Sequence, residues 1–230
     1  MAISRTEFEG RFVEQAEYLG TGKSLVHDSS LYLFAKRCMD FFGALTGLIL
    51  FSPLFLILAL AIKIEDPAGH VFFKQLRVGR NGKKFKIYKF RSMVSNAEQM
   101  LDKILSRNET EGCMFKMKDD PRVTKIGHFI RKTSLDELPQ LINVLKGDMS
   151  LVGPRPPLPR EVKQYTRRDL QRLLVTPGCT GMWQVNGRSS VGFHEMVELD
   201  LKYIKERNLR LDIKIILKTF IVLFTGRGAY

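Results

Sequence analysis

An uncharged run from Phe41 to Ile62, FFGALTGLILFSPLFLILALAI, constrains this chain more than any other feature. As a helix rising about 1.5 Å per residue it reaches roughly 33 Å, close to the ~30 Å hydrocarbon core of a bilayer. Ser52-Pro53 stands at its centre, where proline removes a backbone donor and disfavours helical geometry in the preceding residue. Positive charge flanks both ends, with Lys36 and Arg37 before and Lys63, Lys74, Arg77, Arg80, Lys83 and Lys84 after. The positive-inside rule is met on both flanks only if the segment enters and leaves by one face, which points to a re-entrant helix-break-helix. A kinked spanning helix and a buried core helix stay open on these residues alone.

The remaining sequence must account for a formal net charge of +13. Apolar residues make up 44% of the chain, enough for a core, so the charge belongs to a folded surface facing a polyanion, an anionic membrane or a phosphate-bearing substrate. Nucleic-acid binding would need basic residues interleaved with exposed aromatics, whereas most of the sixteen Phe fall in the apolar run or at amphipathic positions. Cys38, Cys113 and Cys179 have no ligand spacing and are odd in number, so neither a disulfide framework nor a zinc site is expected. The GTGKS at Gly20–Ser24 lacks the first glycine of a P-loop, Glu17 standing in its place, and no apolar strand precedes it.

Val71–Gln75 and Lys84–Phe90 read as strands joined through the turn signal Asn81-Gly82. Helical spacing follows over Ser92–Arg107, in two pieces of Ile126–Lys146 around Ser134 and Pro139, and over Glu161–Leu174. Gly153-Pro154-Arg155-Pro156-Pro157-Leu158-Pro159 is a rigid extended loop, and Pro177–Arg188 is rich in turns. From Phe193 onward, Lys and Arg alternate with Leu and Ile, which suits either an interfacial helix on anionic lipid or an ordinary core-facing one.

Chemistry concentrates in Arg131-Lys132-Thr133-Ser134-Leu135-Asp136-Glu137-Leu138-Pro139-Gln140. Pro139 suits a helix start, which places Asp136 and Glu137 where a carboxylate is kept ionised, with Arg131 adding to the effect. An ionised Asp is a competent nucleophile toward phosphorus once the phosphate charge is neutralised, and the adjacent Glu could hold Mg²⁺ for that purpose. The structural alternative is a capping box, Ser134-x-x-Glu137. Lys89, Arg91 and Arg155 are further anion-binding candidates, the last on a loop too rigid to lose much entropy in holding it.

The chain resembles the bacterial sugar transferases, monotopic phosphoglycosyl transferases that move a sugar phosphate from a nucleoside diphosphate sugar to a polyprenyl phosphate. The resemblance runs from about Leu33 to the carboxyl end. It is carried by KRCMDFFGALTGLILFSPLFLILALAIKIEDPAGHVFFKQLRVGRNGKKFKIYKFRSM, DPRVTKIGHFIRKTSLDELPQLINVLKGDMSLVGPRPPLP and TPGCTGMWQVNGRSS. It implies an α+β fold in three parts: a polar extension over 1–30, a re-entrant membrane hairpin over 31–64 broken at Ser52-Pro53, and a catalytic domain over 65–230. That domain would carry a small β-hairpin and amphipathic interfacial helices, and would sit on the cytoplasmic face of a bacterial inner membrane.

By the same resemblance Asp136 is the nucleophile and Glu137 the Mg²⁺ ligand. Lys89, Arg131 and Arg155 hold phosphates, with Arg91 a further candidate from its place beside Lys89, and Gln184, Asn186 and Arg188 border the nucleotide or sugar. The implied reaction passes through a sugar-phosphoryl aspartate, releases UMP and starts lipid-linked exopolysaccharide assembly. The implied partners are a nucleotide sugar, polyprenyl (undecaprenyl) phosphate and anionic lipid, without nucleic acid, and a homodimer is left open. Only about 35 polar residues precede the shared core, which suggests a core-only member. Departures at Pro157-Leu158-Pro159 and Gly181-Met182-Trp183 bear on sugar choice. The rival reading is a non-catalytic membrane scaffold for polysaccharide assembly, in which Asp136 would be dispensable.

Overall fold

The computed structural model describes residues 29–104, 117, 119–187 and 192–225; the extension over 1–28 with its GTGKS, Cys113 and Arg188 lie outside them. The first two elements are helices, α1 (Ser30–Leu50) and α2 (Ser52–Glu65), separated by Phe51 alone and bent by 59°. Ser52-Pro53 explains the break. Pro53 sits in the first turn of α2, where a missing donor costs nothing, while the Ser52 hydroxyl donates back to the Ile49 carbonyl at 2.8 Å. No single described helix is long and apolar enough to cross a membrane, and only the bent pair passes that test together.

Polar contacts fix α1 to the rest of the molecule along one face. Lys36, Asp40 and Ala44, spaced by one helical turn, are its buried residues. Lys36 Nζ meets Asp212 Oδ2 at 3.0 Å, and Asp40 Oδ1 accepts from Ser150 Oγ at 2.9 Å and from the Leu151 N–H at 2.8 Å. The opposite face leaves Phe42, Ile49 and Leu50 exposed, and on α2 Leu56, Ile57, Leu60 and Ile64 are exposed too. A sheltered side of α2, through Leu58 and Ile62, packs with Phe90 and Ile130.

The expected hairpin forms and runs longer than the alternation suggested. β1 (Phe72–Val78) pairs antiparallel with β2 (Lys84–Phe90), and Asn81 (φ 55°) and Gly82 (φ 76°) turn the chain between them. Phe85 and Ile87 of β2 lie on one face and are buried with Val144, Met149 and Ala44. Lys89 continues that face. The helix expected over Ser92–Arg107 is described as α3 (Ala97–Ile104). The next two pieces appear as α4 (Lys125–Lys132) and α5 (Gln140–Lys146).

The second half is built around a parallel pair that the sequence did not announce. β3 (Ser150–Val152) pairs with β4 (Gly178–Thr180). The strands approach closely where β3 gives way to the proline-rich loop: a side chain at Gly178 would start 2.0 Å from the Gly153 nitrogen, and one at Gly153 would start 2.6 Å from the Thr176 carbonyl. Both positions therefore require glycine.

Glu161–Leu174, expected as one helix, is broken into α6 (Pro159–Val162), α7 (Arg167–Leu170) and a 3-10 turn over Gln171–Leu174. The cause is a reciprocal cap at Thr166, whose side chain bonds the Asp169 N–H while Asp169 bonds the Thr166 N–H, starting a new helix in mid-segment. Next come α8 (Met182–Asn186), α9 (Phe193–Glu206) and α10 (Leu209–Thr225). Tyr203, Ile204 and Ile215 of the last two join Val78, Val152, Val162 and Leu173 in the main core, while Ile213, Leu217, Phe220 and Ile221 of α10 stay exposed. The architecture is thus mixed, two small sheets among helices, compatible with the α+β class.

Candidate active site

Asp136 and Glu137 lie on a single 3-10 turn, Leu135–Glu137, between α4 and α5. The turn is entered through Ser134 in a left-handed conformation (φ 57°, ψ 18°), uncommon for a residue with a side chain and costly enough to mark a constrained segment. Ser134 makes no side-chain cap, so the capping-box alternative does not form, and the Glu137 carboxylate goes elsewhere. Its partner is Lys89, whose Nζ lies 2.6 Å from Glu137 Oε1 and 3.5 Å from Asp136 Oδ2.

Asn143 brings these groups together across 47 residues of sequence. It is fully buried on α5, its Oδ1 accepting from the Tyr88 N–H at 3.0 Å and its Nδ2 donating to the Lys86 carbonyl at 2.8 Å. One amide thus fastens β2 to α5, and Lys89, one residue beyond Tyr88, arrives beside the turn that precedes α5. The sequence signal was an Asn among Leu141, Ile142, Val144 and Leu145, a polar residue in an apolar helix face.

Three more cations act on the pair from a distance. Burial works against ionisation of Glu137, but Lys89 outweighs it and Arg155 and Arg77 add to the effect, so its pKa lies below the ordinary carboxylate range. Asp136 is different. Burial, reinforced by the neighbouring Glu137 charge, pushes its pKa up, against the opposing pull of Lys89 and Arg131. The sequence placed Asp136 where a helix start and Arg131 keep a carboxylate ionised; the structure adds an opposing effect, because Asp136 is the more buried of the two carboxylates and a charge there has lost solvent. Lys89 in turn is held protonated by the two carboxylates although burial opposes it.

Arg77 belongs to this group although sequence reasoning counted it only as flanking charge. It is buried on the Lys89 face of the hairpin, its Nη1 2.9 Å from the Pro156 carbonyl and its Nη2 2.6 Å from Gln75 Oε1. Burial first, and the nearby Arg155 charge second, lower its pKa to about 9. Arg155 stands on the proline-rich loop with its Nη1 3.1 Å from Glu161 Oε2.

Other expected site residues lie apart. Arg91 is engaged with Asp66, through Oδ2 at 2.9 Å and the main-chain carbonyl at 2.7 Å, and so pins the α2–β1 connection. Gln184 Nε2 donates to the Cys179 carbonyl at 3.1 Å, and Asn186 is exposed at the end of α8.

For a divalent cation the donor chemistry is suitable. Mg²⁺ takes one or two protein carboxylates and completes its shell with water and substrate phosphate oxygens. Among the described residues no group of three or more His, Cys, Asp and Glu gathers, while Asp136 and Glu137 supply that smaller number. The Glu137 side chain is 41% exposed and so is open to an incoming ion.

Comparison with known proteins gives the family. The sequence profile of the bacterial sugar transferases matches residues 31–226, and the chain belongs to that family. It is 50% identical over 199 residues to a galactosyl transferase, CpsE, of Streptococcus agalactiae serotype III, covering 86% of this chain and 44% of the relative. It is 42% identical over 234 residues to the undecaprenyl-phosphate galactose phosphotransferase of Salmonella typhimurium, covering 100% and 48% respectively. The exopolysaccharide production protein ExoY of Rhizobium meliloti is 40% identical over 200 residues, covering 85% of this chain and 88% of that protein. The chain thus spans about half the length of the first two relatives and most of the third.

Proposed function

We propose that this chain transfers a sugar-1-phosphate from a uridine diphosphate sugar to undecaprenyl phosphate, starting lipid-linked glycan assembly. The observation that carries the proposal is the pair Asp136–Glu137 on a strained turn, countered by Lys89 and within the field of Arg77, Arg131 and Arg155. Two adjacent carboxylates among several cations suit a reaction in which a carboxylate oxygen must approach a phosphate that is itself negative. Asp136 attacks the β-phosphorus, the bond to the nucleoside monophosphate breaks, and UMP leaves. A phosphate oxygen of the lipid then attacks the same phosphorus, displacing Asp136 and forming the lipid diphosphate sugar. Arg155 and Arg131 bind phosphate oxygens, and Lys89 stays protonated to offset charge as they arrive. Glu137 would hold Mg²⁺, which would supply neutralisation of the phosphate charge.

The bent α1–α2 pair and the exposed apolar faces of α1, α2 and α10 support membrane attachment in a re-entrant manner. On this reading the segment over 31–64 is the anchor and 65–230 the catalytic domain, resting on anionic lipid at the cytoplasmic face of the inner membrane. A soluble donor and a lipid phosphate then meet at one interface. Cysteines introduced at Ser30 and His70 in a cysteine-free background would be labelled from the same side, and labelling from opposite sides would refute the re-entrant anchor.

The reaction is tested by incubating purified protein with radiolabelled uridine diphosphate sugars and Mg²⁺, with and without undecaprenyl phosphate. UMP release that Asp136→Asn abolishes is expected. Unchanged release in that variant would falsify the nucleophile assignment, and a requirement for both substrates to be bound at once would exclude the covalent intermediate.

A further inference from the structure

The best-buried ion pair in the described molecule takes no part in the chemistry above. Arg172 and Asp200 have side chains 0% and 1% exposed, with Nε and Nη2 of the arginine 2.8 and 2.7 Å from Asp200 Oδ2. Arg172 Nη1 lies 2.7 Å from the Tyr165 hydroxyl. Its Nη2 also reaches the main-chain carbonyl of Arg155, at 3.3 Å. One buried ion pair therefore holds the Arg155 backbone through its carbonyl.

The surrounding loop shows why such a clasp is needed. Pro154, Pro156 and Pro157 have no N–H, so the segment can be held only through its carbonyls and its few donors. Each carbonyl from Pro154 to Pro157 has a partner: the Gly178 N–H at 2.9 Å, Arg172 at 3.3 Å, Arg77 at 2.9 Å and the Val78 N–H at 2.9 Å. Two of those four donors are buried guanidinium groups. A buried ion pair is weak evidence for stability, because apolar residues of similar volume often serve as well; its specific yield is geometry.

We propose that Arg172 and Asp200 are positioning residues for Arg155: they fix its backbone so that its guanidinium is presented to the substrate phosphate without reorganisation. This rests on the phosphate-binding role of Arg155 proposed above. The test is a double-mutant cycle on the full chain with nucleotide sugar varied. Arg172→Met/Asp200→Leu replaces the pair by apolar residues and should raise KM for the donor about tenfold, with kcat within about twofold. Arg155→Ala should raise KM at least as much, and adding the pair replacement to Arg155→Ala should change nothing further, because the clasp acts only through that side chain.

Multiplicative effects in the combined variant, or an unchanged KM in the pair replacement, would overturn the proposal. If the pair replacement does not fold, Tyr165→Phe and Asp200→Asn enter the same cycle with the same expected non-additivity. Absence of transfer by the parent protein, or an unchanged KM in Arg155→Ala, would instead sink the underlying functional reading.

Discussion

Two clusters of opposite charge in this molecule use the same ingredients and reach opposite ends. In Arg172–Asp200 one cation meets one carboxylate in full burial, with a tyrosine and a backbone carbonyl using the remaining donors. In Lys89–Asp136–Glu137 one cation serves two carboxylates, and the side chains are 23%, 11% and 41% exposed. The sealed pair is matched in charge, with two guanidinium nitrogens on Asp200 Oδ2, which is what makes burial tolerable. In the open cluster one lysine is in contact with two carboxylates, and burial, with the Glu137 charge adding to it, raises the Asp136 pKa. A balanced, sealed pair suits holding backbone in place, whereas two carboxylates sharing one lysine beside solvent suit the cation and phosphate of the proposed reaction.

The sharpest way to break this comparison is to neutralise one carboxylate in each cluster. Asp136→Asn should lower transfer on the order of 10⁴-fold or more, since it removes the proposed nucleophile. Its thermal midpoint should be no lower than the parent's, because the residue replaced is a buried carboxylate whose ionisation burial disfavours. In the sealed pair the pattern inverts. Arg172→Met alone strands Asp200 in the interior and should cost ~3–5 kcal/mol of stability by urea denaturation. Arg172→Met/Asp200→Leu should recover most of that loss. A pair replacement no more stable than Arg172→Met would show that packing around Arg172, not its charge, holds this region.

The open cluster was largely visible in the chain and the sealed one was not, for a physical reason. Asp136, Glu137 and Pro139 lie within one short run of sequence, and a carboxylate pair beside a helix start has local chemical meaning. Lys89 was visible as a basic residue closing a strand, but its place against Glu137 depends on the hairpin register and on Asn143, a long-range contact. Arg172 and Asp200 are separated by 28 residues and sit at helical positions where basic and acidic side chains usually face solvent. The same limit hid the β3–β4 pair, since three-residue strands leave no periodicity to read. Conversely, Asn81-Gly82 and Ser52-Pro53 act through their own backbone preferences, so both breaks fell where the residues put them.

Titration separates the clusters on a finer scale. In Asp200, burial raises the pKa to about 6, with Arg172 opposing a larger rise. A carboxyl raised in the folded state contributes stability that is full below the unfolded pKa, about 3.9, and is lost as pH climbs through the folded value. The parent should therefore lose stability between about pH 4 and 6 through Asp200, and the pair replacement should lack that component. In the open cluster Lys89 is the raised group, so its contribution is full below about 10.4 and is lost as pH rises through the folded value. Glu137, lowered, contributes above about 4.3 and loses that contribution as pH falls through its folded value. The stability gap between the parent and Lys89→Met should accordingly open as pH rises past the carboxylate range, stay level at neutral pH and close in strong base. Denaturation midpoints across pH would expose a gap that fails to change.

The smallest expected effect provides the control for both clusters. Arg168 and Glu198 form a bidentate pair at 2.8 and 2.7 Å, better in geometry than Lys89 with Asp136, yet their side chains are 60% and 40% exposed. Water and salt screen such a pair, and holding two long side chains in one arrangement offsets most of the attraction. Glu198→Gln should leave the denaturation midpoint and the kinetic constants within experimental error of the parent, at low and at physiological salt. A clear loss of stability that salt does not diminish would mean that hydrogen-bond geometry, rather than burial, sets the worth of an ion pair in this fold. The contrast drawn between the sealed and open clusters would then have to be rebuilt on distance and angle alone.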